Sequence, residues 1–253
     1  KKGGISMNSR FKKSATSILS LLAMTILLPA SVNASEVENS SMKVTYSEKQ
    51  VTDMNKLYDM AKNGITDVKS PNEKGIIKNE RTGESMYVDA ISTTQLLEVK
   101  QSKDLTSKTY SKTVFLDTDT IKPLRKASIS EDGWDKTGGV KASGTVTYTI
   151  SKGDGAFQYI SVSKVSGNWS IADGQIRVTN RKVYINQTGF VSNGLGIKQQ
   201  QRKDPTSNSF SYNAPSSWKP VGRDSLQYNC GFESIATLVR GGSSWSFNFI
   251  VQP

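Results

Sequence analysis

The sequence predicts a mainly β protein: an antiparallel β-sandwich, immunoglobulin-like or a small barrel, in its C-terminal part, preceded by a short helix and a β-hairpin region. Three observations carry this. Apolar residues alternate with Ser and Thr in many short runs, as in Val146, Tyr148 and Ile150. Gly, Asn and Asp punctuate those runs at short intervals. Helical periodicity is confined to one stretch near residue 50. Alternation at period 2 marks a strand with one buried face, and frequent turn signals favour a sandwich or barrel.

In chain order, Lys1–Ser6 is read as an untranslated leader and Met7 as the start. Residues 7–34 read as a signal peptide: basic Arg10, Lys12 and Lys13, an apolar Ile18–Leu28, Pro29, then small residues before a cleavage between Ala34 and Ser35. Eleven apolar residues span roughly 16 Å at about 1.5 Å each, too short for a bilayer core of about 30 Å. The expected product is secreted, with no transmembrane segment once the signal is removed. The full chain carries a net charge of +11; five basic residues lie before Ser35, which leaves +6 on the expected product. That charge favours anionic polymers or membrane surfaces. No nucleic-acid-binding motif accompanies it.

Residues 35–83 read as a polar segment with one short helix, Ser47–Asn63. Ser47 is its expected N-cap, and Val51, Met54, Leu57, Tyr58 and Ala61 share a face. Thr66–Gly83 reads as loop. In the hairpin region, 84–127, strands are expected around Met86–Ala90, Leu97–Val99 and Tyr110–Leu116, with a turn at Ser102-Lys103-Asp104. Residues 128–253 read as the sandwich domain. Strands are expected at Thr145–Ile150, Phe157–Val165, Ile176–Thr179 and Lys182–Ile185, with a turn at Ser166-Gly167-Asn168 and a loop over Asp204–Pro220. The clearest hairpin joins Ser234–Arg240 to Trp245–Val251 through Gly241-Gly242, with Trp245, Phe247, Phe249 and Val251 on one face.

Thr93–Leu97 with Thr109–Asp117, Trp134–Val140 leading into Val146–Thr149, and Val165–Trp169 resemble segments of uncharacterised exported proteins of Gram-positive bacteria. The resemblance implies export and β architecture. It assigns no activity.

The chemistry is bounded by what is missing. There is no histidine, which removes Ser-His-Asp and Cys-His catalysis within the chain and the commonest zinc ligand. A single cysteine, Cys230, forbids an internal disulfide and reads as a small buried hydrophobe beside a turn, or else as a reactive thiol or a partner in an intermolecular disulfide. Lys136-Thr137-Gly138, Ser161-x-x-Lys164 and Ser211-Tyr212-Asn213 match the motifs of penicillin-recognising serine enzymes, but in the wrong order and with Ser161 on a strand. Acidic residues at Asp117, Asp119, Glu131, Asp132 and Asp135 have calcium-ligand chemistry without the full loop pattern. No cofactor or transition-metal site is expected.

The expected function is therefore a non-catalytic extracellular binding module. Its partner would be an anionic cell-surface polymer, a glycan or a protein. The candidate binding residues are Tyr212, Trp218, Lys219, Arg223 and Trp134, because loop aromatics offer large flat contact areas beside cations. Two alternatives stay open: a glycan-active enzyme working with carboxylates, and a small exported toxin or antimicrobial protein.

Overall fold

The computed structural model describes residues 42–69, 74–79, 81–83, 85–116, 140–152, 157–223 and 227–253. Trp134, the Ala34/Ser35 cleavage site and the acidic residues at 117–119 and 131–135 lie outside them. The elements are β1 (Lys43–Ser47), α1 (Met54–Lys62), β2 (Lys74–Asn79), β3 (Ser85–Gln101), β4 (Thr106–Leu116), β5 (Val140–Lys152), β6 (Gln158–Ile171), β7 (Arg177–Phe190), β8 (Gly196–Lys203), β9 (Ser209–Asn213), β10 (Val221–Gly222), β11 (Asn229–Arg240) and β12 (Ser243–Val251). The chain is mainly β, with this one short helix among the described residues.

The strands form one curled antiparallel sheet in the order β10-β6-β5-β4-β3-β2-β12-β11-β7-β8, with β1 added to β3 and β9 to β6. The curl brings β6 and β10 against β7, β6 against β11, and β5 against β12. The hairpin region thus supplies β3 and β4, which pair with β2 and β5 inside that sheet. Alternation dictates the inner face. Val140, Ala142, Val146 and Tyr148 of β5 point inward and are buried, while Ser143, Thr145 and Thr147 point outward. Trp245, Phe247, Phe249 and Val251 share the buried face of β12 as expected. The β11–β12 hairpin turns at Gly241, whose φ of +57° is a conformation other residues rarely adopt.

Edge-to-face and tilted rings run through the core, Trp169 to Phe210 to Phe232 to Phe249, with centroids 5.3–6.2 Å apart. Gly144 and Gly167 are partners across β5 and β6. A Cβ on Gly144 would sit 2.6 Å from the Phe232 ring and 2.8 Å from the Phe249 ring; one on Gly167 would sit 2.6 Å from the Phe210 ring. These glycines admit aromatic rings rather than bend the chain. That is why the turn expected at Ser166-Gly167-Asn168 is instead the interior of β6.

Other differences also have physical causes. Ser47, the expected N-cap, is instead the last residue of β1, opposite Glu98, and the polar segment before it is the rest of that strand, where Val44 and Tyr46 pair with Lys100 and Val99. The helix starts later, at Met54, because Asp53 caps it by accepting from the amides of Asn55 at 2.9 Å and Lys56 at 3.1 Å. The expected loop at Thr66–Gly83 contains β2, whose Gly75–Lys78 run continues the sheet between β3 and β12. The two strands expected between Met86 and Val99 are one strand, β3. Ile176–Thr179 and Lys182–Ile185 join within β7 through Asn180, at φ 47°, beside a register shift against β11.

Among the described residues the middle of β3 has no strand neighbour on one edge, and polar side chains take that place. Leu96 N donates to Asp67 Oδ2, and Thr94 N to Thr66 Oγ1. Asp67 N donates to the Thr94 carbonyl. The Gln95 amide pairs with both backbone groups of Val51. These bonds satisfy an edge that would otherwise be open to pairing, and they strap α1 over the outer face of β4. There Leu57, Ala61 and Phe115 form a small second core.

Candidate functional site

The end of the sheet where β5 passes to β6 and β7 to β8 carries the surface best suited to binding. Val191 N donates to the Leu195 carbonyl at 2.9 Å, and Gly194 N to the Val191 carbonyl at 2.9 Å, which closes a tight β7–β8 connection. The connection leaves Leu195 62% exposed and Phe190 38% exposed. Across from them Phe157, at the entry to β6, is 67% exposed. β10 pairs with β6 so that Gly222 lies opposite Tyr159. Two grooves flank Tyr159. One, of about 360 Å³, runs between Phe157 and Phe190 over Gly222. The other, of about 390 Å³, runs between Ser151, Asn193 and Lys219. Both sizes fall within the range of small-ligand sites. Among the described residues, no carboxylate lines either groove.

Lys219 is held unusually firmly for an exposed residue. Its N–H donates to Gln199 Oε1 at 2.7 Å, and its carbonyl accepts from Gln199 Nε2 at 2.9 Å and from Gln187 Nε2 at 2.8 Å. The backbone is thus fixed by two amides while the side chain projects to solvent. Arg223 is placed by its own N–H, which donates to the Gln158 carbonyl at 2.9 Å, and by a longer contact from its guanidinium to Gln158 Oε1 at 3.4 Å. Gln187 is wholly buried and bridges further: its Oε1 accepts from Val162 N at 2.7 Å, joining β6 to β7.

Of the sequence-expected binding residues, Lys219 and Arg223 come together at this end. Trp218 precedes Lys219 but is half-buried against the main core. Tyr212 lies on β9, opposite Val165 of β6, some five residues along β6 from the pairing of β10. Its ring stacks on Phe210, with Lys203 Nζ 5.7 Å from its centroid. The stretch Asp204–Pro220 is accordingly not all loop, since β9 lies inside it. Phe190, Val191 and Leu195 were missed as site residues. No local signal marked them: Leu195 alternates with Ile197 just as a strand residue would.

Cys230 is fully buried in β11, opposite Gln187 of β7. Burial pushes its thiol up to about 12, and burial also raises the neighbouring Tyr228 phenol. A thiol so placed is a packing group and not a nucleophile at neutral pH. A third groove, of about 360 Å³, lies where α1 meets β4, β5 and β6; its aromatic wall is the Tyr58–Phe115 pair, edge to face at 5.4 Å. Among the described residues, no three His, Cys, Asp or Glu side chains gather as metal ligands, and no helix is long and apolar enough to cross a membrane. No protein-family model, curated protein or solved structure matches this chain.

Proposed function

We propose that the chain is a secreted, non-catalytic binding module that attaches to an anionic surface through the end of the sheet bearing Lys219 and Arg223. One observation carries this reading: Lys219 has both backbone groups locked by Gln199 and Gln187, while its cationic side chain stands free beside a groove. Fixing a cation's backbone in advance lowers the ordering cost of binding. It adds nothing evident to the core. The export signal read from the sequence at residues 7–34 supports a role for such a module outside the cell. The curled sheet is read as a sandwich-like scaffold, two half-sheets over one core with their loops gathered at the ends, and the Gln187 bridge between β6 and β7 supports that reading.

The test is sedimentation of the chain starting at Ser35 with purified bacterial envelopes. Lys219→Glu combined with Arg223→Gln is expected to lower binding about tenfold at low salt, with thermal unfolding unchanged. Binding by wild type should weaken as salt rises, because exposed charges are screened over about 10 Å at 0.1 M. Equal binding by the double variant would remove Lys219 and Arg223 from the site.

A further inference from the structure

We propose that this same end is a membrane-docking wedge: Phe157, Phe190 and Leu195 insert into the surface of a bilayer rich in anionic phospholipid, with Lys219 and Arg223 at the headgroups. The proposal rests on the reading of this end as the binding surface and names what it binds. Three features carry it.

The first is the position of the apolar side chains. The inner face of the sheet buries its large apolar residues almost completely, with Phe247 at 0% and Phe232 at 1% exposure. Phe157 and Leu195 are 67% and 62% exposed on the connections at one end. Phe157 and Phe190 line one groove over Gly222, and Leu195 stands on the β7–β8 connection that follows Phe190. Apolar side chains projecting together mark an interaction site rather than random exposure.

The second is charge. Lys219 lines the groove beside Tyr159, Lys152 lies opposite Gln158, Arg223 is held at Gln158 and Lys198 lies opposite Thr188, and among the described residues no carboxylate lines the two grooves. An anionic headgroup layer attracts each such cation, and the attraction decays within a Debye length.

The third is discrimination between anionic partners. A hydrophilic polymer of phosphates would engage Lys219 and Arg223 but offers nothing in which Phe157 and Leu195 gain by burial. A bilayer surface offers both layers at the right depths, apolar below and charged above. Tyr159, half-buried between the two grooves, is the kind of ring that belongs at that boundary.

The experiment uses the chain from Ser35, because the apolar stretch Ile18–Leu28 would itself enter lipid. This chain contains the whole compact unit Ser40–Pro253. It is sedimented with vesicles of pure phosphatidylcholine, with vesicles of equal phosphatidylglycerol and phosphatidylcholine, and with a soluble polyglycerol phosphate as competitor. Wild type is expected to bind the phosphatidylglycerol vesicles and to bind pure phosphatidylcholine much more weakly. Phe157→Ser with Leu195→Ser is expected to lower vesicle binding about tenfold or more, at low and high salt alike, without changing the melting temperature. Phe157→Trp should show a blue-shifted emission on binding. Failure of wild type to bind phosphatidylglycerol vesicles, or full binding by the double serine variant, overturns the wedge. If polyglycerol phosphate is bound through Lys219 while vesicles are not, the wedge falls and the binding-module reading stands. If neither is bound, both fall.

Discussion

Where β5 comes over β12 the sheet closes on hydrocarbon; where β6 comes over β7 it closes on an amide. At the first place Gly144 leaves room for Phe232, Phe249 and Val251, whose atoms lie within 2.9 Å of the missing Cβ position. At the second, Gln187 donates to the Lys219 carbonyl and accepts from Val162 N, wholly out of solvent. The contrast shows how one curled sheet gains both stability and a working end. Dispersion packing is non-directional, so the Gly144 side holds the halves together without fixing what lies above it. The amide bridge is directional, and it carries its geometry outward to Lys219 and the grooves.

The sharpest way to break this contrast is Gly144→Val. Overfilling a packed core typically costs about 1–3 kcal/mol and sometimes more, and here three side chains must move at once, so a loss of about 3 kcal/mol or more in urea unfolding is expected. An unchanged midpoint would mean that the two halves do not press on each other at Gly144. The next effect in size is Gln187→Leu. It strips the Val162 amide of its partner inside the protein, while the Lys219 carbonyl keeps Gln199. The expected loss is about 1–3 kcal/mol. Amide exchange at Val162 should accelerate, and it should do so more than exchange in β12. Equal protection throughout would show that the bridge does not hold the seam.

Much of this architecture was legible in the sequence, and what was not has identifiable causes. The inner faces of β5 and β12 were readable because alternation alone dictates them: Val146 and Tyr148, Phe247 and Phe249. Glycine was the main source of misreading. Gly167 signals a turn by composition, yet it sits mid-strand because Phe210 needs its space, a demand that exists only once β9 has docked. β2 was hidden because its Lys74-Gly75 start and Lys78-Asn79 end look like loop, and only pairing on both sides makes the segment a strand. Lys219 and Arg223 were legible as loop cations beside an aromatic. Their companions Phe190 and Leu195 were not, since the β7–β8 connection gathers them with Phe157 from far along the chain. Gln187 was invisible for a similar reason: nothing local distinguishes a glutamine that bridges two strands from one facing water.

Cys230 sharpens the comparison by asking how dry the polar side of the seam is. It lies opposite Gln187, and burial lifts its thiol from an ordinary value of 9.0 to about 12. A group that holds its proton more tightly when folded favours the native state at every pH below the unfolded value. In the unfolded chain the thiol ionises near 9.0, while in the native protein it stays neutral, so stability falls as pH rises from about 9 toward 12. Lysines and tyrosines also titrate there, so the informative quantity is the difference between wild type and Cys230→Ala. That difference should be constant up to pH 8 and should shift against wild type by about 2–3 kcal/mol by pH 11. Thiol reagents at pH 8 should leave native Cys230 unmodified while reacting with it in urea. A flat difference across this range would mean that water reaches the thiol. The amide bridge would then be spanning a wet crevice, and Lys219 would owe its position to Gln199 alone.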